Sequence, residues 1–202
     1  MDDLSDTLKQ IQNNFIQYID SQEDIEDKFQ NLIDIIQNKQ ILKECDSFIL
    51  VLRLILTISN NHCRSPNFFD KIFNVLTAFK DSIKEYYSNH TIFNIFKSNK
   101  RIILFLIESY IISIDEHIAK KMKEYKYYKL KYPHYFFPEI KEFLDEATNK
   151  TISKELPDDF EQKRQKDTND NYLQELIKND NIDEFITYIN KNDISLKTSI
   201  SP

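Results

Sequence analysis

The sequence predicts an all-α protein, a multi-helix array or bundle that closes on a repeat-like helix pair. Three observations predict it. Apolar residues recur at steps of three and four almost throughout the 202 residues. No stretch keeps the strict alternation of a half-buried strand. Asparagine, 18 residues in all, falls where the periodicity stops, in a chain that has no glycine.

The elements follow in order. Leu4, Leu8, Ile11, Phe15 and Ile19 mark a first helix; Ile25, Phe29, Leu32, Ile33 and Ile36 mark a second. SFILVLRLILTI is apolar for about a dozen residues around Arg53, short of the roughly twenty that span a bilayer, and reads as a buried helix. Asn60 and Asn61 close it, and Ser65-Pro66 opens the next, with Phe69, Ile72, Phe73, Leu76, Phe79 and Ile83 on one inner face. Ser98 or Asn99 caps RIILFLIES, apolar nearly all round and therefore central. Asp115 opens a helix through Lys123. Tyr132-Pro133 and Phe137-Pro138 break the pattern, and Pro138 sits in the first turn of EIKEFLDEA. The polar stretch TNKTISKELPDD reads as a linker, dividing the chain into a helical domain, 1–150, and a segment, 151–202, that carries the helix pair.

Missing glycine excludes whole classes of chemistry. Phosphate-cradling loops, dinucleotide fingerprints and the glycine-flanked nucleophile elbow all need it. Asparagine is the next residue able to take the left-handed conformation that ends a helix, at Asn38, Asn60, Asn61, Asn89, Asn179 and Asn192. Cys45 and Cys63 form no metal or redox spacing, and no signal peptide is read, so a reduced cytoplasmic setting is expected. The sequons at Asn89 and Asn149 are then chance matches.

Charge is uneven. Residues 1–46 hold eleven acids and four bases, 47–150 eleven acids and sixteen bases, and 151–202 eleven acids and seven bases. The total of −6 argues against a dedicated nucleic-acid binder, whose affinity rests on neutralising phosphates. The basic middle keeps a local patch open. It is densest in KKMKEYKYYKLKYPHYFF, where Lys120, Lys121, Lys126, Tyr127, Tyr128 and Lys129 could bind an acidic peptide or nucleic acid. The plainer reading is cations complementing a helix end while the tyrosines pack inward. His62, His90, His117 and His134 are scattered with no metal-ligand spacing and read as isolated side chains. His62-Cys63 are adjacent and point apart, so no nucleophile–base pair forms. In NNHCRSPNFF, Arg64 could bind a carboxylate, but the stretch reads better as a helix–helix turn. No catalytic, cofactor or metal site is expected.

An internal echo joins LIESYIIS, from Leu106, to YINKNDIS, from Tyr188: each has an apolar pair, a turn-like step and then Ile-Ser. ISNNHCRSPNFFDKI, IFNIFKSNKRIILFLIE, YPHYFFPEI and NDNIDEFITYINKND, in this order, resemble a large, expanded group of protist ankyrin-repeat proteins, best known from trichomonads. The resemblance covers residues 47–200 well and the first 46 loosely. It implies a helical cap domain of unknown function followed by ankyrin-like helix pairs, with protein partners and no catalytic residues. The chain departs from the pattern at Lys166-Asp167-Thr168-Asn169-Asp170, where the family has a glycine, and it ends at Pro202 where the family continues into repeats.

The resulting expectation is a non-enzymatic protein–protein interaction module, with no membrane, no cofactor and an unnamed protein partner. Nucleic-acid or acidic-ligand binding through 120–132, or a small-ligand-binding bundle, are the alternatives. Phe185 and Ile189 mark a surface for self-association if the apolar side chains of the last helix pair face outward. Otherwise Ile182, Phe185, Ile186 and Ile189 turn inward and the pair acts as a terminal cap.

Overall fold

A computed structural model describes residues 2–38, 41, 45–61, 67–124 and 132–166, together with Ile182, Asp183 and Ile186. Among these residues there are twelve α-helices and no strand, so the fold is all-α. The chain divides into two compact units, Met1–Lys154 and Glu155–Pro202.

In the first unit, α1 (Asp2–Asp20) packs along α2 (Ile25–Asn38), and both meet α4 (Phe68–Ala78). The apolar stretch forms α3 (Cys45–Asn61), which lies against α1, α4 and α6 (Asn89–Phe96). Next come α5 (Lys80–Tyr86), α7 (Lys100–Glu108), α8 (Glu116–Glu124), α9 (Tyr132–Tyr135), α10 (Phe137–Ile140) and α11 (Glu146–Glu155). The core takes Ile11, Phe15 and Ile19 from α1 and Leu32, Ile33 and Ile36 from α2, as the periodicity marks. Leu4 and Ile25, marked by the same pattern near the helix starts, are exposed, and Leu8 and Phe29 are only half-buried. The apolar runs add Phe48, Val51 and Leu52 from α3 and Ile102, Ile103 and Leu106 from α7 to the core. Each such burial contributes about 1.5–3 kcal/mol relative to exposure. The second unit holds α12 (Phe160–Lys166), where Arg164 lies 6.0 Å from the Phe160 ring and 3.9 Å from Glu161.

Several expected boundaries shift, each for a local reason. α4 begins at Phe68 after Asn67 in the left-handed region (φ 57°, ψ 23°), so Pro66 is not in its first turn; Ser65 and Pro66 lie outside the described residues. The face running from Phe69 to Ile83 is split at Phe79 into α4 and α5. Thr77 donates its hydroxyl to the Phe73 carbonyl (2.8 Å), a back-bond that bends helices. EIKEFLDEA is not one helix: α10 passes into a 3₁₀ turn, Lys141–Phe143, and stops at Leu144. Asp145 then caps α11, accepting from the Thr148 amide and hydroxyl (both 2.8 Å). Most of the expected linker TNKTISKELPDD is therefore helix. It holds few strong helix formers, Lys150, Lys154 and Glu155, so the Asp145 cap and one buried residue, Ile152, support the helix rather than propensity.

The helix ends hold the main correction. At the described positions among those expected, asparagine does not supply the left-handed residue: Asn38 and Asn61 are the last residues of α2 and α3, Asn60 lies within α3, and Asn89 opens α6. Asn179 and Asn192 lie outside the described residues. Among the described residues positive φ occurs at Asp24, Asn67 and Tyr110. Side-chain donors instead satisfy many of the terminal carbonyls that an α-helix leaves without partners. Lys71 donates to Tyr18, Ile19 and Ser21 at the end of α1, Asn61 to Thr57 in α3, Lys80 to Ser109 after α7, and the Tyr132 hydroxyl to Lys97 after α6. The side chains of Asn60, Ser98 and Asn99 join the end of α3 to the α6–α7 turn, while Asn99 caps α7 through the Ile102 amide (3.1 Å), as expected.

Candidate functional site

Three regions carry functional side chains in the described residues. The first is the lysine-rich segment. Lys120 is exposed on α8; Lys121 is half-buried and donates to Asn94 (3.3 Å), and Lys123 pairs with Asp145 (2.9 Å). Tyr132 is buried, in keeping with inward-packing tyrosines. Lys126, Tyr127, Tyr128 and Lys129 lie outside the described residues. So do Phe185 and Ile189; of their neighbours, Ile182 and Ile186 are 61% and 51% exposed. These two isoleucines do not turn inward as a terminal cap requires.

The second region is a cluster that the sequence does not announce. His90 Nε2 lies 2.8 Å from Asp115 Oδ2, and the His90 and His117 rings are 4.4 Å apart, tilted by 34°. Two of the four histidines are therefore neighbours rather than isolated. The contact arises because α6 and α8 bring their first turns together, clipped by Asn89 donating to Ser113 (2.8 Å). Asp115 caps α8 through the Ile118 amide (2.8 Å), as its sequence position predicts. Burial pushes the Asp115 carboxyl up, but the Ile118 amide and His90 together hold it below the usual carboxylate range. Among the described residues no group of three His, Cys, Asp or Glu side chains could hold a metal ion. Both imidazoles sit at the positive ends of helix dipoles, which disfavours a bound cation. The carboxylate that complements those ends is Asp115 itself. The cluster is a clasp between two helix starts.

The third region is a row of half-buried aromatic rings across α4 and α7. The Phe73 and Phe105 rings stack 4.2 Å apart within 3° of parallel, and the Arg101 guanidinium lies 4.1 Å over the Phe69 ring. Phe69 and Phe73 are one turn apart on α4, and Arg101 and Phe105 one turn apart on α7, so matching helical steps build the row. Lys80 continues it, donating to the Ser109 carbonyl (2.6 Å). Tyr110 follows, 80% exposed. The sequence pattern places Phe69 and Phe73 on the inner face; both remain partly exposed.

A shallow, open groove between α10 and α11 is lined by Phe137 and by polar side chains that include Lys141, Glu142, Glu146, Asn149 and Ser153. Among the described residues no helix is long and apolar enough to cross a membrane. Comparison of the chain with family models, with curated proteins and with solved structures finds no match.

Proposed function

We propose that the chain is a non-enzymatic protein–protein interaction module that binds through the aromatic row of α4 and α7. The observation that carries this reading is the stacked pair Phe73–Phe105 beside Arg101 over Phe69, all partly open to solvent. Aromatic residues and arginine are the types enriched at protein interfaces and at their energetic centres. Rings already held at fixed angles by two helices lose little freedom on binding, which favours affinity. The resemblance to the helical cap of ankyrin-repeat scaffolds supports the same class of partner.

Capture from an extract of its own cells tests the reading, with the wild type, Arg101→Glu and Phe73→Ser compared side by side and folding monitored by circular dichroism. A specific protein retained by the wild type and lost by both folded variants is the expected result. Equal retention by all three, or no specific protein at all, overturns it.

A further inference from the structure

We propose that His90 and His117 form a pH-sensitive latch between the starts of α6 and α8, closed with one proton or none on the pair and loosened by a second. The latch is independent of the aromatic row on α4 and α7. His90 Nε2 lies 2.8 Å from Asp115 Oδ2, and the His117 ring lies 4.4 Å from that of His90. His90 is the second residue of α6, Asp115 precedes α8, and His117 is its second residue. Histidine is the side chain whose charge ordinarily changes between pH 5 and 8. Asp115 stays ionised across that window: burial pushes its carboxyl up, but the Ile118 amide and His90 hold it below the usual carboxylate range.

One proton on the pair makes His90 an imidazolium against that carboxylate, and the contact becomes a charge-assisted hydrogen bond. A second proton finds no partner of its own. It places two cations 4.4 Å apart, at two helix starts whose dipoles already disfavour them. One carboxylate cannot neutralise both. The next acid, Glu116, stands on the same turn of α8. α3 and α7 pack against α6, and α9 and the 3₁₀ turn pack against α8. They carry Cys45, Asp46 and Arg53, then Lys100, Arg101 and Glu108, then Tyr132, His134 and Tyr135, then Lys141 and Glu142. Among the described residues neither these nor Glu116 form a hydrogen bond or ion pair with His90 or His117. Both rings reach solvent, so water screens the repulsion and leaves roughly a fivefold bias against the second proton in the closed clasp. The clasp is therefore held at neutral pH and loosens as pH falls through the histidine range.

Amide hydrogen exchange tests the latch at pH about 7.5 and about 5, at low salt and with about 0.5 M salt, each rate corrected for the intrinsic effect of pH. The Ile118 and Ala119 amides, both held by Asp115, report on the clasp, and the Leu52 amide in the buried middle of α3 reports on the whole domain. In the wild type at low salt, protection at Ile118 and Ala119 should fall roughly fivefold on acidification while Leu52 holds. Salt should shrink that fall. His117→Gln leaves His90 against Asp115 and should keep its protection at both pH values. No change in the wild type, or an equal fall in His117→Gln, overturns the latch. A fall of the same size at Leu52 assigns the effect to acid destabilisation of the whole domain and overturns it too. If circular dichroism shows His117→Gln unfolded, the salt arm decides: a wild-type fall that salt leaves unchanged is not repulsion between two imidazoliums, and the latch is overturned.

Discussion

The ammonium of Lys71 lies 2.7 Å from the carbonyl oxygen of Ile19, fifty-two residues earlier in the chain. The same Nζ reaches Ser21 (2.6 Å) and Tyr18 (3.1 Å), so one buried cation closes the carboxyl end of α1 with all three of its donors. The carbonyls carry the negative end of the helix dipole, and the cation matches it. Burial pulls the lysine's pKa down, while nearby Asp20 opposes that shift.

Replacing Lys71 with methionine keeps most of the apolar stem but leaves three carbonyls without their donor. A loss of about 1–3 kcal/mol is expected, read as a lower urea midpoint with unchanged slope. Lys71→Ala also opens a cavity and should cost more. A methionine variant within about 0.5 kcal/mol of wild type, the range of ordinary surface changes, would show that water serves these carbonyls equally well.

Tyr87 provides a test at alkaline pH. Its hydroxyl donates to the Cys45 carbonyl (2.5 Å), and burial, helped by Cys45 and Asp46, pushes its pKa up to about 12. The folded state therefore keeps the phenol proton beyond the unfolded value of about 10. The contribution is fully present below pH ~10 and is lost as pH rises from there towards ~12. Tyr87→Phe should cost about 1 kcal/mol at neutral pH and flatten the alkaline decline. An unchanged alkaline limb in the variant would assign that decline to other groups.

How much of this was legible in the sequence divides along physical lines. Local signals were. Periodicity found most of the core faces of α1 and α2, and an unbroken apolar run marked α3 as buried. The caps Asn99 and Asp115 act where their positions predict, because a cap and its amide lie within three residues. Pro138 sits in the first turn of its helix for the same reason. Contacts between distant segments were not. Nothing near Lys71 indicates that its partners lie at the end of α1, and nothing near His90 points to Asp115, twenty-five residues on. The Phe73–Phe105 stack needs two helices in register, which a single helical pattern does not encode. The reading of asparagine as the stand-in for glycine failed at Asn38, Asn60, Asn61 and Asn89 because it treated helix ends as backbone problems, whereas the fold solves many of them with side-chain donors.

Asp145 joins α8 to the start of α11 and sets an acid-side prediction. The Thr148 amide, then Lys123 and the Thr148 hydroxyl, hold its carboxyl well below the usual carboxylate range. Its folded value lies under the unfolded one, so its contribution is present above pH ~4 and disappears as pH falls through the lower value. Asp145→Ala should reduce the loss of stability on acidification below pH ~4. It should also speed hydrogen exchange at the Thr148 amide, which loses its capping acceptor. Unchanged exchange at that amide would mean that the α11 start is held by its neighbours instead.

Tyr110 allows backbone strain to be tested at a single position. The left-handed conformation that ends α7 costs a residue with a Cβ about 1 kcal/mol or more, and glycine avoids that cost. Tyr110→Gly should therefore raise stability by roughly 0.5–1 kcal/mol, net of the extra freedom glycine has when unfolded. Tyr110→Ala is the control: it removes the ring but keeps the Cβ, so it should stay near wild type. The ring's own contribution is small because it is 80% exposed. Urea midpoints of the three proteins decide the matter. Glycine above alanine by the stated margin confirms a strained turn, while equal midpoints would mean that the turn relaxes and that the tyrosine carries no stability penalty.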